Sequence, residues 1–286
     1  MNKFDYEGYN EEKYGSDYWT INRSKHKWFS NYVKLKIFLG WALDVKNKDV
    51  FLDVGGGVGN WAFHFLRYFK KVIVLDVSQK ALDKIPEKEI AKVKGSATSI
   101  PLKDKSVNSI LLADVFEHIL PSDLNKMISE LNRVLCPGGV IVIYTTHYGY
   151  GIDLIRKRMF GLMDGRLKKS EKRYSGHLNR LKFEEFENLA KRNGLKIEEH
   201  RYYGAVFKQI IEFFKDFIAR ALEKLKGKKS SRGGQSIKED IKNIKMPKAS
   251  MLFLLGLLSR IVYLDILLFG RIYRGSSIFL KIRKPA

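Results

Sequence analysis

Three observations predict an α/β fold organised around a parallel sheet. An apolar run, Val50 to Leu52, stops at Asp53 and runs into Gly55, Gly56, Gly57 and Gly59. Apolar side chains then resume at helical spacing from Trp61 to Leu66. A second apolar run, Val72 to Leu75, follows directly. Strand, turn, helix and strand in so short a span is the pattern of a βαβ unit. The chain, 286 residues with 45% hydrophobic and 13% aromatic side chains, is long and apolar enough to bury a full core.

The glycine turn is the first element with chemical content. Glycine lets the backbone approach a ligand closely, so glycines on a strand-to-helix turn predict a nucleoside cofactor site rather than an ordinary tight turn. A dinucleotide fingerprint, G-x-G-x-x-G, counted from Gly55 and Gly57 would place its third glycine at Asn60, whereas it stands at Gly59. The nicotinamide reading is thereby weakened. The second strand ends at Asp76, about 20 residues beyond the turn, where a carboxylate can accept hydrogen bonds from both ribose hydroxyls.

The pattern Asp53-x-Gly55-x-Gly57-x-Gly59 resembles motif I of the class I S-adenosylmethionine-dependent methyltransferases. Lys94 to His118 resembles that family's adenine segment and fourth strand, and Leu131 to Tyr144 its following helix, turn and fifth strand. Together they are most similar to the ubiquinone-biosynthesis-like, or type 11, branch, over about Val50 to Tyr144. The resemblance implies a Rossmann-like sheet of seven strands, mostly parallel with an antiparallel last strand and helices on both faces. It implies S-adenosylmethionine as cofactor, S-adenosylhomocysteine as product, and contacts from Asp53, Gly55, Gly57, Gly59, Asp76, Val77, Ser96, Ala97 and Asp114. Ser96 departs from the pattern: many relatives carry there an acid that bonds the adenine amino group. A hydroxyl can still accept one such bond.

The remaining elements flank this core. Residues 1–48 form a leader in which Tyr6, Tyr9, Tyr14, Tyr18 and Trp19 precede an apolar helix from about Lys25 to Leu43. The aromatics either fold over the cofactor, as in related enzymes, or anchor the helix to the sheet. Lys182 to Gly194 reads as a helix with Phe183, Phe186, Leu189 and Ala190 on one face and a glycine stop. Leu195 to Tyr203 and Ser276 to Arg283 read as strands, expected from the resemblance to be the sixth and seventh. The predicted core is thus 49–204 plus 275–286, and about 70 residues, 205–274, form an insertion far longer than a hairpin needs.

That insertion opens with a basic amphipathic helix, Phe207 to Leu225, and continues through a Gly/Ser/Lys linker. Met251 to Gly270 then holds 15 apolar residues in 20. Arg260 and Asp265 would each cost roughly 2.5–3.5 kcal/mol in a bilayer, about what the apolar residues return. A single span would also put the sixth and seventh strands on opposite sides of the membrane. Two helices lying in a membrane interface, or capping the acceptor site, fit better.

Charge separates the two halves. Residues 1–150 carry 21 Lys plus Arg against 17 Asp plus Glu, a net +4; residues 151–286 carry 32 against 14, a net +18. The surplus lies on the acceptor half and favours an anionic partner. Cys136 is alone, which excludes an internal disulfide and a thiolate cluster, and no basic start with an apolar run opens the chain. Cytoplasmic residence, peripheral at the inner membrane face, is the expectation. No metal is expected, since no His, Asp and Glu set stands at ligand spacing. For a general base, His147 is the first expectation and His118 the second, beyond the fifth and fourth strands; His177 and His64, inside the first helix, rank below, and Tyr144 and Tyr148 lie near.

The function expected is methyl transfer to a small acceptor, amphipathic or lipid-linked: a quinone precursor, a lipid headgroup or a lipid-linked sugar. The alternative is an RNA or protein methyltransferase whose basic half tracks phosphates, although no nucleic-acid module is recognisable. A non-catalytic scaffold is disfavoured by the intact loop and Asp76. Oligomeric state is not set by the sequence.

Overall fold

The structure, a computed structural model, describes residues 29–147, 177–203, 260, 263–264, 266–268, 270–271 and 277–286. The aromatic leader, Tyr148, the basic helix and the linker of the sequence reading lie outside these residues. Seven strands form one sheet: β1 (Val50–Val54), β2 (Lys71–Asp76), β3 (Ile90–Lys94), β4 (Val107–Ala113), β5 (Leu135–Thr146), β6 (Lys196–Tyr203) and β7 (Ser277–Arg283). Their order is β3-β2-β1-β4-β5-β7-β6. The first five pair in parallel, and β7 lies antiparallel between β5 and β6.

Side-chain alternation along these strands builds two cores. Leu52, Val54, Ile110, Leu112, Ile141, Ile143, Ile278 and Leu280 face one layer. Phe51, Leu111, Val140, Val142 and Phe279 face the other. Runs buried on both faces need helices on both faces. The first layer is covered by α3 (Leu124–Val134) and α4 (Phe183–Arg192), through Met127, Ile128, Leu131, Phe186 and Ala190. The second is covered by α1 (Phe29–Ala42), through Val33, Ile37 and Phe38, and by Leu82 of the short α2 (Gln79–Asp83).

Most elements match the sequence expectation, including α4, which ends at Gly194 with φ +68°, a left-handed cap that glycine adopts without strain. One does not. Trp61 to Leu66 is not the helix expected but a short 3-10 turn at Ala62–Phe65. His64 N–H bonds Trp61 O and Tyr68 N–H bonds Phe65 O, three residues back, while Phe63 and Phe69 bond four back. Bulky aromatics, poor helix formers, are instead committed to the core: Phe51 stacks on Phe65 at 3.8 Å and lies 5.3 Å from Phe69.

The pairing of β6 with β7 sets the geography of the insertion. Tyr203 faces Ser277, and Ser277 faces Thr146 at the carboxyl end of β5. Residues 204–276 therefore leave and rejoin the sheet at the end where β1, β4 and β5 deliver their loops. Ligands of open α/β sheets bind at that end.

Candidate functional site

At the carboxyl end of β1 the chain turns back through Gly55, Gly57 and Gly59, with φ of +66°, +53° and +70°. Gly55 N–H bonds Leu75 O at 2.6 Å, and Gly59 N–H bonds Gly56 O at 2.8 Å. A methyl at Gly55 would run into Val115 Cγ2, and one at Gly56 would sit 2.7 Å from the Asp53 carboxyl. Neither position has room for a side chain, because Val115 and Asp53 pack against the turn, so both must be glycine.

Two carboxylates hold that turn. Asp76 is 5% exposed; its Oδ2 accepts Gly57 N–H at 2.8 Å and its Oδ1 accepts Ser78 N–H at 2.9 Å. The bonds fix the group at the end of β2, in front of the turn, with Val77 half-buried beside it. Asp53 is 1% exposed and accepts Ala62 N–H at 3.2 Å, bracing the far end of the turn from beneath. Burial, then the Asp76 charge, pushes its pKa up to about 8.

The segment after β3 is clamped from one side. Ser96 Oγ lies 2.9 Å from Thr98 Oγ1 and accepts Thr98 N–H, with Ala97 buried between them. Arg133 of α3 donates to Ile100 O, Leu102 O and Asp104, while Glu130 accepts Ile100 N–H at 2.8 Å and Arg133 Nε. The guanidinium fork thus fixes three turns of loop at once.

Beyond β4 the backbone is unusual again: Asp114 has φ +58°, uncommon for a residue with a side chain. Its exposed carboxylate meets Lys34 Nζ of α1 at 3.1 Å, and that ammonium lies 3.8 Å from the Tyr144 ring centroid. Burial alone would lower the lysine pKa. The Asp114 charge, then Tyr144 and the hydrogen bond to Asp114, outweigh it, and Lys34 is held charged.

Three residues away a second cluster forms. Glu117, 2% exposed, accepts Thr145 Oγ1–H at 2.8 Å; burial first, then the Asp114 charge, pushes its pKa up to about 7. Glu117, His118 and His177 bring one donor atom each within 4.8 Å of one another, and the two imidazole rings stand edge to face at 5.2 Å. Such a trio has the donor types for a divalent metal. Burial and the Asp114 charge favour a protonated Glu117 carboxyl up to about pH 7, and the Thr145 hydroxyl, which donates to it, opposes that shift.

The sequence reading saw no such set. His177 is about 60 positions from Glu117, and tertiary structure alone joins them: Leu178 N–H and Asn179 N–H bond Glu117 O, and Asn179 Nδ2 donates to Phe116 O and Ile119 O. Lys34 was also missed, its charge hidden in an apolar helix. His147 is 4% exposed, bridged to Leu181 and 5.0 Å from the Tyr202 ring. His118 is half-buried on the rim. His64 lies buried in the 3-10 turn, within the core side of the sheet.

Comparison with known proteins agrees with this geometry. Residues 52–143 match the family model described as a methyltransferase domain. A malonyl-[acyl-carrier protein] O-methyltransferase of Yersinia pestis is 35% identical over 102 residues, 35% of this chain and 38% of that protein. This chain thus aligns with about two fifths of the length of the curated relatives it matches. A methyltransferase structure from Bacillus halodurans superposes with TM-score 0.52 at 21% identity, covering 88% of this chain and 99% of that one. Phosphoethanolamine N-methyltransferase 2 of Haemonchus contortus, solved with S-adenosyl-L-methionine, gives TM-score 0.60 at 17% identity over 100% of this chain and 61% of the other. The chain thus has the Rossmann-like seven-stranded fold of these methyltransferase structures, and its residues 52–143 are similar to a methyltransferase domain.

Proposed function

We propose that the protein is a methyltransferase that uses S-adenosylmethionine to methylate a small, amphipathic or lipid-linked acceptor. One observation carries the cofactor assignment: a glycine turn at the end of β1, with the Asp76 carboxylate locked in front of it by Gly57 N–H. Glycines at 55, 56, 57 and 59 leave the turn's backbone bare, which suits the close approach of a nucleoside, and the residues present fit it. Asp76 would hold the ribose hydroxyls, Gly55 to Gly59 would line the methionyl portion, and Val77, Ser96 and Ala97 would border the adenine. Asp114, beside Lys34, would close the site.

When bound, S-adenosylmethionine supplies a methyl group already activated by sulfonium, so the chain's task is alignment and exclusion of water. The acceptor's lone pair forms the new bond to the methyl carbon as the carbon–sulfur pair returns to sulfur. If the acceptor is a hydroxyl, its proton must leave to a base. We assign that role to His118, whose ring stands edge to face with His177 at 5.2 Å beside the buried Glu117, in preference to the expected His147 at the end of β5, which is 4% exposed. The Yersinia relative is named for O-methylation of malonyl-[acyl-carrier protein], which supports an organic acid acceptor borne on a carrier. The net +18 of residues 151–286 supports an anionic or lipid-borne one, and it also keeps RNA as the second reading.

Calorimetry with S-adenosylhomocysteine tests the cofactor; no heat of binding by the folded protein would refute it. Mass spectrometry of extracts incubated with methyl-labelled cofactor reports the acceptor. Label in RNA and not in small molecules would replace the first reading with the second.

A further inference from the structure

We infer that the face presented by Leu264, Leu267 and Leu268 is a docking surface for an anionic lipid membrane, an inference that rests on the lipid-borne acceptor proposed above. Residues 263–264 and 266–268 are helical, and at 100° per residue Leu264, Leu267 and Leu268 fall within one face while Ile266 falls opposite. Burial follows that division. Ile266 is 1% exposed and belongs to the core, whereas Leu264, Leu267 and Leu268 are 50%, 48% and 61% exposed. These three are the most exposed aliphatic side chains of that size among the described residues.

The face is fixed in place. Gly270 O accepts Tyr202 N–H at 2.6 Å, and Gly270 N–H bonds Ile266 O at 3.0 Å. A side chain at Gly270 would lie 3.0 Å from Tyr202 O and would collide with Ile266 O, so this backbone packs directly against the end of β6. Tyr202 precedes Tyr203, which pairs with Ser277 at the end of the sheet where β5 delivers its loop. The leucines are therefore displayed from the cofactor end of the sheet.

Charge selects the occupant. Arg260 is exposed, and Arg271 is 64% exposed at the outer edge of a loose 3.7 Å pair with Glu199, so cations precede and follow the leucines in the chain. A second copy of this chain would bring the same cations and a net +22 to the contact. An anionic bilayer offers instead acyl chains for the leucines and headgroup phosphates for the arginines. No helix among the described residues is long and apolar enough to cross a membrane. The segment would lie on the surface, with the cofactor site opening toward lipid.

Co-sedimentation with vesicles tests this on the full chain. Binding to phosphatidylglycerol-containing vesicles, weakened by salt and weak on pure phosphatidylcholine, is expected; the combined Leu264→Asn, Leu267→Asn and Leu268→Asn variant should lose at least about tenfold in partition coefficient. Its S-adenosylhomocysteine affinity should equal that of the parent, which shows it folded. Arg260→Gln with Arg271→Gln should reduce the salt dependence. Vesicle binding unchanged in the leucine variant, or none by the parent, overturns the inference. So does a dimer in sedimentation velocity that the leucine variant abolishes, or RNA that competes better than vesicles for the leucine face. Loss of S-adenosylhomocysteine binding by the parent would refute the cofactor reading and leave the vesicle result standing.

Discussion

Gly55 carries two separable costs that a double-mutant cycle can resolve. Gly55→Ala places a Cβ at φ +66°, where an L-residue is strained by about 1–2 kcal/mol. The same methyl runs into Val115 Cγ2 and lies 3.2 Å from Cγ1, an overpacking worth about 1–3 kcal/mol. The single variant should lose about 2–5 kcal/mol in urea denaturation, with the slope unchanged. Val115→Ala removes the colliding atoms, so in the double variant the collision vanishes while the backbone strain stays. The coupling should be about 1–3 kcal/mol in the rescuing direction. Strict additivity of the two losses would refute the packing of the turn against the loop after β4. Full rescue would refute the left-handed conformation.

Other consequences follow from the same contacts. Glu117 has a folded pKa of about 7 against an ordinary 4.5, so between those values the folded protein keeps a proton that the unfolded chain has released. Its stabilising effect is full below about pH 4.5 and fades as pH rises to 7; Glu117→Gln should flatten that dependence by up to about 3 kcal/mol, and an unchanged pH–stability curve would contradict the burial. Arg133→Met breaks bonds to Ile100 O, Leu102 O and Asp104, and should cost about 2–3 kcal/mol and raise hydrogen exchange across 98–104; Arg133→Lys should not rescue it. For the base, His118→Ala should shift the pH–rate profile more than His147→Ala, whose buried ring should show its loss chiefly as reduced stability. The reverse order would move the role to His147.

What the sequence disclosed and what it concealed divide along contact range. β1, β2, β4 and β5 were legible because Phe51–Leu52, Val72–Leu75 and the runs after them are apolar on both faces, and only a sheet covered twice buries such runs. The glycine turn was legible because φ above zero restricts residue type. The pairing of β6 with β7 was expected through family resemblance, since no local rule joins strands that far apart. The 3-10 turn at Ala62–Phe65 was missed because aromatics three and four apart satisfy either periodicity, and the stacking of Phe51 on Phe65 decides it. The Glu117, His118 and His177 trio and the Lys34–Asp114 pair were invisible because, as with β6 and β7, no local rule joins residues that far apart. They are joined by backbone bonds and packing between segments dozens of residues apart.

The central claim is that Asp76, aimed by the glycine turn, holds a nucleoside. Isothermal calorimetry with S-adenosylhomocysteine on the parent and on Asp76→Asn tests it most directly. Replacing one oxygen by an amide sets a donor against Gly57 N–H or Ser78 N–H, losing a charge-assisted bond of about 1.5–3 kcal/mol beyond any ribose contact. The account predicts one site per chain in the parent and at least about tenfold weaker binding in Asp76→Asn, with the variant still folded. Equal affinity in the two proteins, or no binding by either, would contradict it.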